Sequence, residues 1–154
     1  MKEINIAVIV DQPKKIGGGF THTISFCKDI LTKNTNKNLN FKFYCFNEPT
    51  FINLEKQKIF FKIIKYSYFN IFINKIMMSS FKTTFFKLLG ISHFEKVIIN
   101  DKIDLVLFTH PSPDSMLLRK TNFIYTIWDM CHSDHPEFPE IRLNREYIVR
   151  ENIY

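Results

Sequence analysis

Ile4-Asn5-Ile6-Ala7-Val8-Ile9-Val10, then Gly17-Gly18-Gly19, then Phe20, Ile24, Cys27 and Leu31, form the stretch that decides the fold. Apart from Asn5, the first seven residues are apolar and mostly β-branched, which marks a strand buried on both faces rather than one that alternates. The apolar residues after the glycines recur at spacings of four, three and four, a single helical stripe. An Asn-rich stretch from Asn34 to Asn40 ends that helix, and Phe41 to Phe46 supplies a second strand. A strand, helix and strand in this order join parallel neighbours through a right-handed crossover. The expected class is therefore α/β: a Rossmann-like three-layer domain around a mostly parallel sheet.

Further along, Ser92-His93-Phe94-Glu95 has capping-box spacing, with the Ser hydroxyl and Glu carboxylate expected to satisfy free amides at the start of a helix running to about Asn100. Asp104 to His110 repeats the buried-strand pattern, and Pro111 and Pro113 force a loop after it. Phe123 to Trp128 gives another strand, Asp129 to Pro139 a polar loop, and Arg142 to Tyr154 a charged helical pattern.

Composition limits what such a chain does. At 154 residues with 45% apolar content it suits one domain able to bury a core, which excludes a disordered chain. Three Cys at positions 27, 45 and 131 do not make a disulfide framework, so the expected setting is the reducing cytoplasm. Lys interrupts every apolar run between Lys56 and Lys87 before it reaches the roughly 20 residues of a spanning helix. The net charge is +6, yet residues 56–90 hold seven Lys and no acid, so all of the excess lies in this one aromatic-rich segment.

In open α/β sheets ligands gather beyond the carboxyl ends of the strands, which directs attention to the loops after Val10, Phe108 and Trp128. Gly17, Gly18 and Gly19 precede a helix, where bare amides and the positive dipole end receive an oxyanion, though they fit neither the dinucleotide nor the P-loop pattern. They equally serve a tight turn into the helix. His110 stands at a strand end beside Ser112 and Asp114, suited either to a polar ligand and proton exchange or to simple capping. The third loop is dense in Asp129, Cys131, His132, Asp134, His135 and Glu137. Zinc is one reading, with Cys131, His132 and His135 as ligands and Asp129 or Asp134 as the fourth, but adjacent Cys and His diverge on most backbones and no CxxC or HExxH spacing is present. A Cys-His nucleophilic dyad meets the same objection. Hydrogen bonding to a polyhydroxylated ligand is the remaining reading.

The glycine turn after the first strand, the strand ending in His110, and Trp128-Asp129-Met130 followed by His132 and Pro136-Glu137-Phe138 resemble the N-terminal half of GT-B glycosyltransferases. The pattern is most similar to the retaining, nucleotide-sugar-dependent family 4, group 1 type, whose next helix carries Arg, as Arg145 and Arg150 do here. Trp128 departs from that pattern, standing where relatives place the His of an HD pair. The resemblance implies that residues 1–154 form a single acceptor-side domain and that the C-terminal donor-binding domain is absent. It implies catalytic roles for His110, Asp129 and His132, the diphosphate near Gly17 to Gly19, and substrate contacts from Trp128 and Glu137. It implies no cofactor and no metal, the nucleotide-sugar being a substrate. A sugar acceptor, glycan or lipid-linked, is the implied partner. Half a cleft loses most of the orientation and electrostatic gain, so transfer by this chain alone is not expected: either the chain is a fragment, or a partner such as a separately encoded C-terminal half completes it.

The basic segment has its own readings. Lys58, Lys62 and Lys65 share one face at helical spacing, with Phe60, Ile63, Ile64 and Ile71 mostly elsewhere, a basic amphipathic helix suited to anionic lipid at the inner membrane face. Two ordinary helices with solvated lysines fit as well, and base stacking by aromatics finds no accompanying nucleic-acid motif. The competing class to an enzyme is a non-enzymatic module that binds a polar or anionic ligand and docks on a membrane through the basic helix.

Overall fold

The computed structural model describes residues 3–11, 18–46, 58–77 and 90–127. In chain order these form β1 (Ile4–Ile9), α1 (Gly18–Lys33), β2 (Leu39–Cys45), β3 (Phe61–Ile63), α2 (Tyr68–Met77), α3 (His93–Asn100), β4 (Leu105–Phe108), a 3-10 turn (Pro113–Leu117) and β5 (Asn122–Tyr125). The five strands make one all-parallel sheet in the order β3-β2-β1-β4-β5. The domain is α/β and Rossmann-like, as the opening β-α-β pattern implied.

Both faces of the sheet are covered, which explains the unbroken apolar run in β1. Val8 and Val10 point to a cluster with Ile24 and Cys27 of α1, Phe43, Cys45 and Ile59. Ala7 and Ile9 point the opposite way, to Phe94 and Ile98 of α3, Val106, Phe108 and Leu117. The stripe of α1 departs from expectation at its end: Leu31 is 53% exposed, and Ile30 packs on the core instead. Leu31 stays on the stripe's side of the helix but borders the open cavity along the β2–β3 edge rather than the packed core. The helix stops in a chain of Asx turns, with Asn34 Oδ1 accepting from the Asn36 amide and Asn36 Oδ1 from that of Asn38.

Ser92 caps α3 as its spacing requires, its Oγ accepting from the Glu95 amide at 3.0 Å. Glu95 does not complete the expected box. Its fully buried carboxylate turns away from the cap, and Oε1 accepts the backbone amides of Arg119, Lys120 and Thr121 at 2.7, 2.5 and 3.0 Å. This hook ties α3 to the turn that starts β5, a tertiary contact that outweighs the local one.

The basic segment is not a helix over Lys58 to Lys65. Lys58 has φ near +59°, outside right-handed helix, and Phe61–Ile63 pairs with Phe43–Cys45 as the edge strand β3. Alternation then sends Lys62 across the sheet edge to Asp101, with Nζ 2.8 Å from Oδ1 and 2.6 Å from Oδ2. Tyr44 donates to the same carboxylate at 2.8 Å, and Lys42 donates to the Asp101 carbonyl at 3.1 Å. Burial pushes Asp101 upward, but the hydrogen bonds from Lys62 and Tyr44 and the charges of Lys62 and Lys42 prevail, leaving its carboxyl below the ordinary range. Lys58, Lys62 and Lys65 therefore do not form a shared basic face. Among the described residues, no helix is long and apolar enough to cross a membrane.

Candidate functional site

The strand order reverses between β1 and β4, and a crevice opens beyond the carboxyl ends of such a pair because their connections leave on opposite faces. Two threonines fix this point. Thr109, immediately after β4, donates through Oγ1 to the Ile9 carbonyl at 3.0 Å, and the buried Thr23 of α1 lies 3.5 Å from Thr109 Oγ1. The second turn of α1 is thereby tied to the end of β4. Gly18 and Gly19 begin α1, so these two glycines are already helical rather than part of a free loop. Gly17 lies outside the described residues.

His110 follows Thr109 at the same rim. Burial lowers its imidazole to about 4, so it is neutral at pH 7, a hydrogen-bonding group and not a cation. Ser112 next shapes the loop: its Oγ accepts from the Asp114 amide at 3.3 Å, and its carbonyl accepts from Ser115 Oγ at 2.8 Å. The chain turns over these bonds and carries Asp114 inward. There burial raises the Asp114 carboxyl from an ordinary 3.8 to about 6, with hydrogen bonds from Ser112 and Tyr66 pulling it partly back.

Tyr66 arrives from the loop after β3. Its phenol is raised well above the ordinary value, first by burial, then by the negative charges of Asp114 and of Asp11, the residue that leaves β1. Asn74, on the inward side of α2 and 7% exposed, adjoins the same phenol. The Tyr66 hydroxyl and the Asn74 amide oxygen are buried, and the phenol lies close enough to Asp114 and Asn74 to hydrogen-bond either. Phe46 stacks on the Tyr66 ring at 5.3 Å and His93 meets it edge-on at 6.1 Å, so the phenol is held in place. The segments after β1, β3 and β4 thus bring two carboxyls, a phenol and an amide together, with the neutral His110 on the loop after β4.

This arrangement binds hydroxyl-rich or otherwise polar groups through both donors and acceptors, and Asp114 exchanges a proton close to neutral pH. Asp129, His132, Trp128 and Glu137 lie outside the described residues, as do Cys131 and His135. Among the described residues, no group of three or more His, Cys, Asp or Glu side chains is placed to hold a metal. A cavity of about 660 Å³ opens away from the rim along the β2–β3 edge, beside Leu31, Phe41, Phe61 and Lys58. Its titratable lining includes the Asp101 and Lys62 pair, already engaged with each other.

Sequence reasoning reached His110, Ser112 and Asp114 but missed Tyr66 and Asn74. Asn70 and Asn74, four apart in the otherwise apolar YFNIFINKIM, are the signal that was available, since such spacing puts two amides on one side of a helix. Tyr66 offers no such signal, because only the register of β3 places it at the rim. In comparison with known proteins, no family model matches the chain, and neither does any curated protein or solved structure.

Proposed function

We propose that the carboxyl rim of this sheet is the acceptor-side half of a sugar-transfer site, binding a polyhydroxylated ligand beside a proton-exchanging carboxyl. Asp114 takes or gives the proton of a ligand hydroxyl, Tyr66 and Asn74 orient that hydroxyl, and neutral His110 hydrogen-bonds a neighbouring one. Asp129 and His132 are assigned to the same rim by the resemblance to GT-B enzymes, with Gly17 to Gly19 toward the diphosphate of a nucleotide-sugar. The observation that carries this reading is the buried Asp114 carboxyl, raised to about 6 beside the Tyr66 phenol, which Asn74 adjoins. A carboxyl tuned toward neutrality in a cleft is what proton transfer requires, whereas simple capping leaves it ionised.

The test is titration of the full chain, observed by NMR, with UDP-glucose, UDP and a panel of neutral oligosaccharides. A sugar-bearing ligand should perturb the His110 and Tyr66 ring signals, and Asp114→Asn or Asn74→Ala should weaken binding about tenfold, as expected for one or two lost polar contacts. Equal binding of UDP and UDP-glucose, or sugar binding indifferent to both substitutions, would refute the proposal. Sugar binding that never leads to transfer, whatever second domain is supplied, would favour the non-enzymatic module.

A further inference from the structure

Helix α2 is inside out. On its wheel Asn70 and Asn74 fall on the inward side with Ile73, and Asn74 is 7% exposed. Tyr68, Phe72 and Lys75 form the opposite stripe at i, i+4 and i+7, flanked by Phe69 and Ile71. Tyr68 is 94% exposed, Phe69 70%, Phe72 60% and Ile71 40%. Ordinary surface helices have the reverse polarity, and contiguous exposed aromatics on a soluble domain mark a surface that something apolar covers.

Charge says what covers it. Exposed Lys65 and Lys75 bracket α2, and exposed Lys96 borders the hollow beside Phe69 and Asn70. A partner for this face must accept aromatic rings and carry negative charge at once. The ten residues of α2 extend about 15 Å, half the thickness of a bilayer core, too short to span one. We propose that the outward face of α2 docks on an anionic lipid surface, with Tyr68, Phe69 and Phe72 among the headgroups and acyl boundary and the flanking lysines at the phosphates. The expected basic helix over Lys58 to Lys65 is absent, so the contact moves to α2, and the rings rather than the charges anchor it.

The experiment is co-sedimentation of the 154-residue chain with vesicles of phosphatidylcholine alone and of phosphatidylcholine mixed with phosphatidylglycerol. The chain should bind the mixed vesicles, and Phe69→Ser with Phe72→Ser should lower the partition coefficient by about 30-fold or more, while Lys75→Glu lowers it about fivefold. All three substitutions are at exposed positions, so melting curves of the variants should match the parent. Asp114→Asn should leave vesicle binding unchanged, which keeps this proposal separable from the sugar-site proposal. Equal binding to neutral vesicles, or retained binding in the double Phe variant, would overturn it. Dimerisation abolished by the same Phe substitutions, without vesicle binding, would assign the face to a second copy and also overturn it.

Discussion

Replacing Glu95 by Ala should be the most damaging single substitution among the described polar residues. Its carboxylate is fully buried, and one oxygen receives three consecutive backbone amides from Arg119, Lys120 and Thr121. Truncation leaves those amides without their acceptor and opens a void under α3. Hydrogen bonds to a charged acceptor are each worth about 1.5–3 kcal/mol, but water reaches the exposed Arg119 and Lys120 once the loop loosens, so a net loss of about 4 kcal/mol is expected. At roughly 2 cal/mol/K per residue, a chain of this length has an unfolding entropy near 0.3 kcal/mol/K, and the melting temperature should fall by about 12 °C. Glu95→Gln keeps an oxygen in place and loses only the charge, so about 1–2 kcal/mol, or some 5 °C, is expected. Calorimetry on the three proteins decides it. If Glu95→Ala melts within about 3 °C of the parent, the carboxylate is not what joins α3 to β5. An equal loss for Gln and Ala would show that charge, and not the acceptor geometry, holds the three amides.

Asp114 sets a pH dependence of definite sign. Its folded value, about 6, lies above the ordinary 3.8, so the folded state holds the extra proton and stability falls as pH rises from about 4 to 6. The loss is roughly 3 kcal/mol at neutrality, and Asp114→Asn should melt higher than the parent at pH 7.5 but not at pH 4. Parallel pH profiles for the two proteins would disprove the assignment. Asp101 has the opposite sign: held low, it contributes stability that is present above the ordinary carboxylate range and lost as pH falls below it. Because the Lys62 side chain is half exposed, Asp101→Asn should cost no more than about 1 kcal/mol, read from urea unfolding at neutral pH. Cys27 and Cys45 are buried thiols, and burial pushes the Cys27 thiol up to about 12. Mass mapping after iodoacetamide at pH 8 should therefore find both unmodified in the native protein and modified in urea, and native labelling of Cys27 would contradict its packing against β1 and β2.

The sheet was legible because its central strands carry their signal within single segments. INIAVIV and DLVLF are apolar at every core position, and a strand that must be buried on both faces has little other way to be written. The edge strand β3 was not legible. It has three residues, its lysine points to Asp101 some forty positions away, and its spacing of Lys58, Lys62 and Lys65 imitates a helix. Glu95 illustrates the same limit: Ser92-x-x-Glu95 specifies a local bond, and half of it forms, but three distant amides offer the carboxylate more than the cap does. Local pattern fixes an element until a buried partner elsewhere competes for the same group.

Helix α2 takes that principle furthest. Its sequence, YFNIFINKIM, contains two possible faces, and a rule that sends apolar residues inward would bury Tyr68, Phe69 and Phe72 and expose Asn74. The fold does the reverse because the inward neighbours of α2 are mixed: Ile73 packs on the core, while Asn74 adjoins Tyr66 and the 3-10 turn that bears Asp114, groups that need hydrogen-bonding capacity nearby. The asparagines on the inside and the aromatics on the outside are therefore one choice with two consequences. Conflict between local pattern and observed orientation concentrates where a chain serves something other than its own stability, and here it marks both the polar rim and the surface behind it.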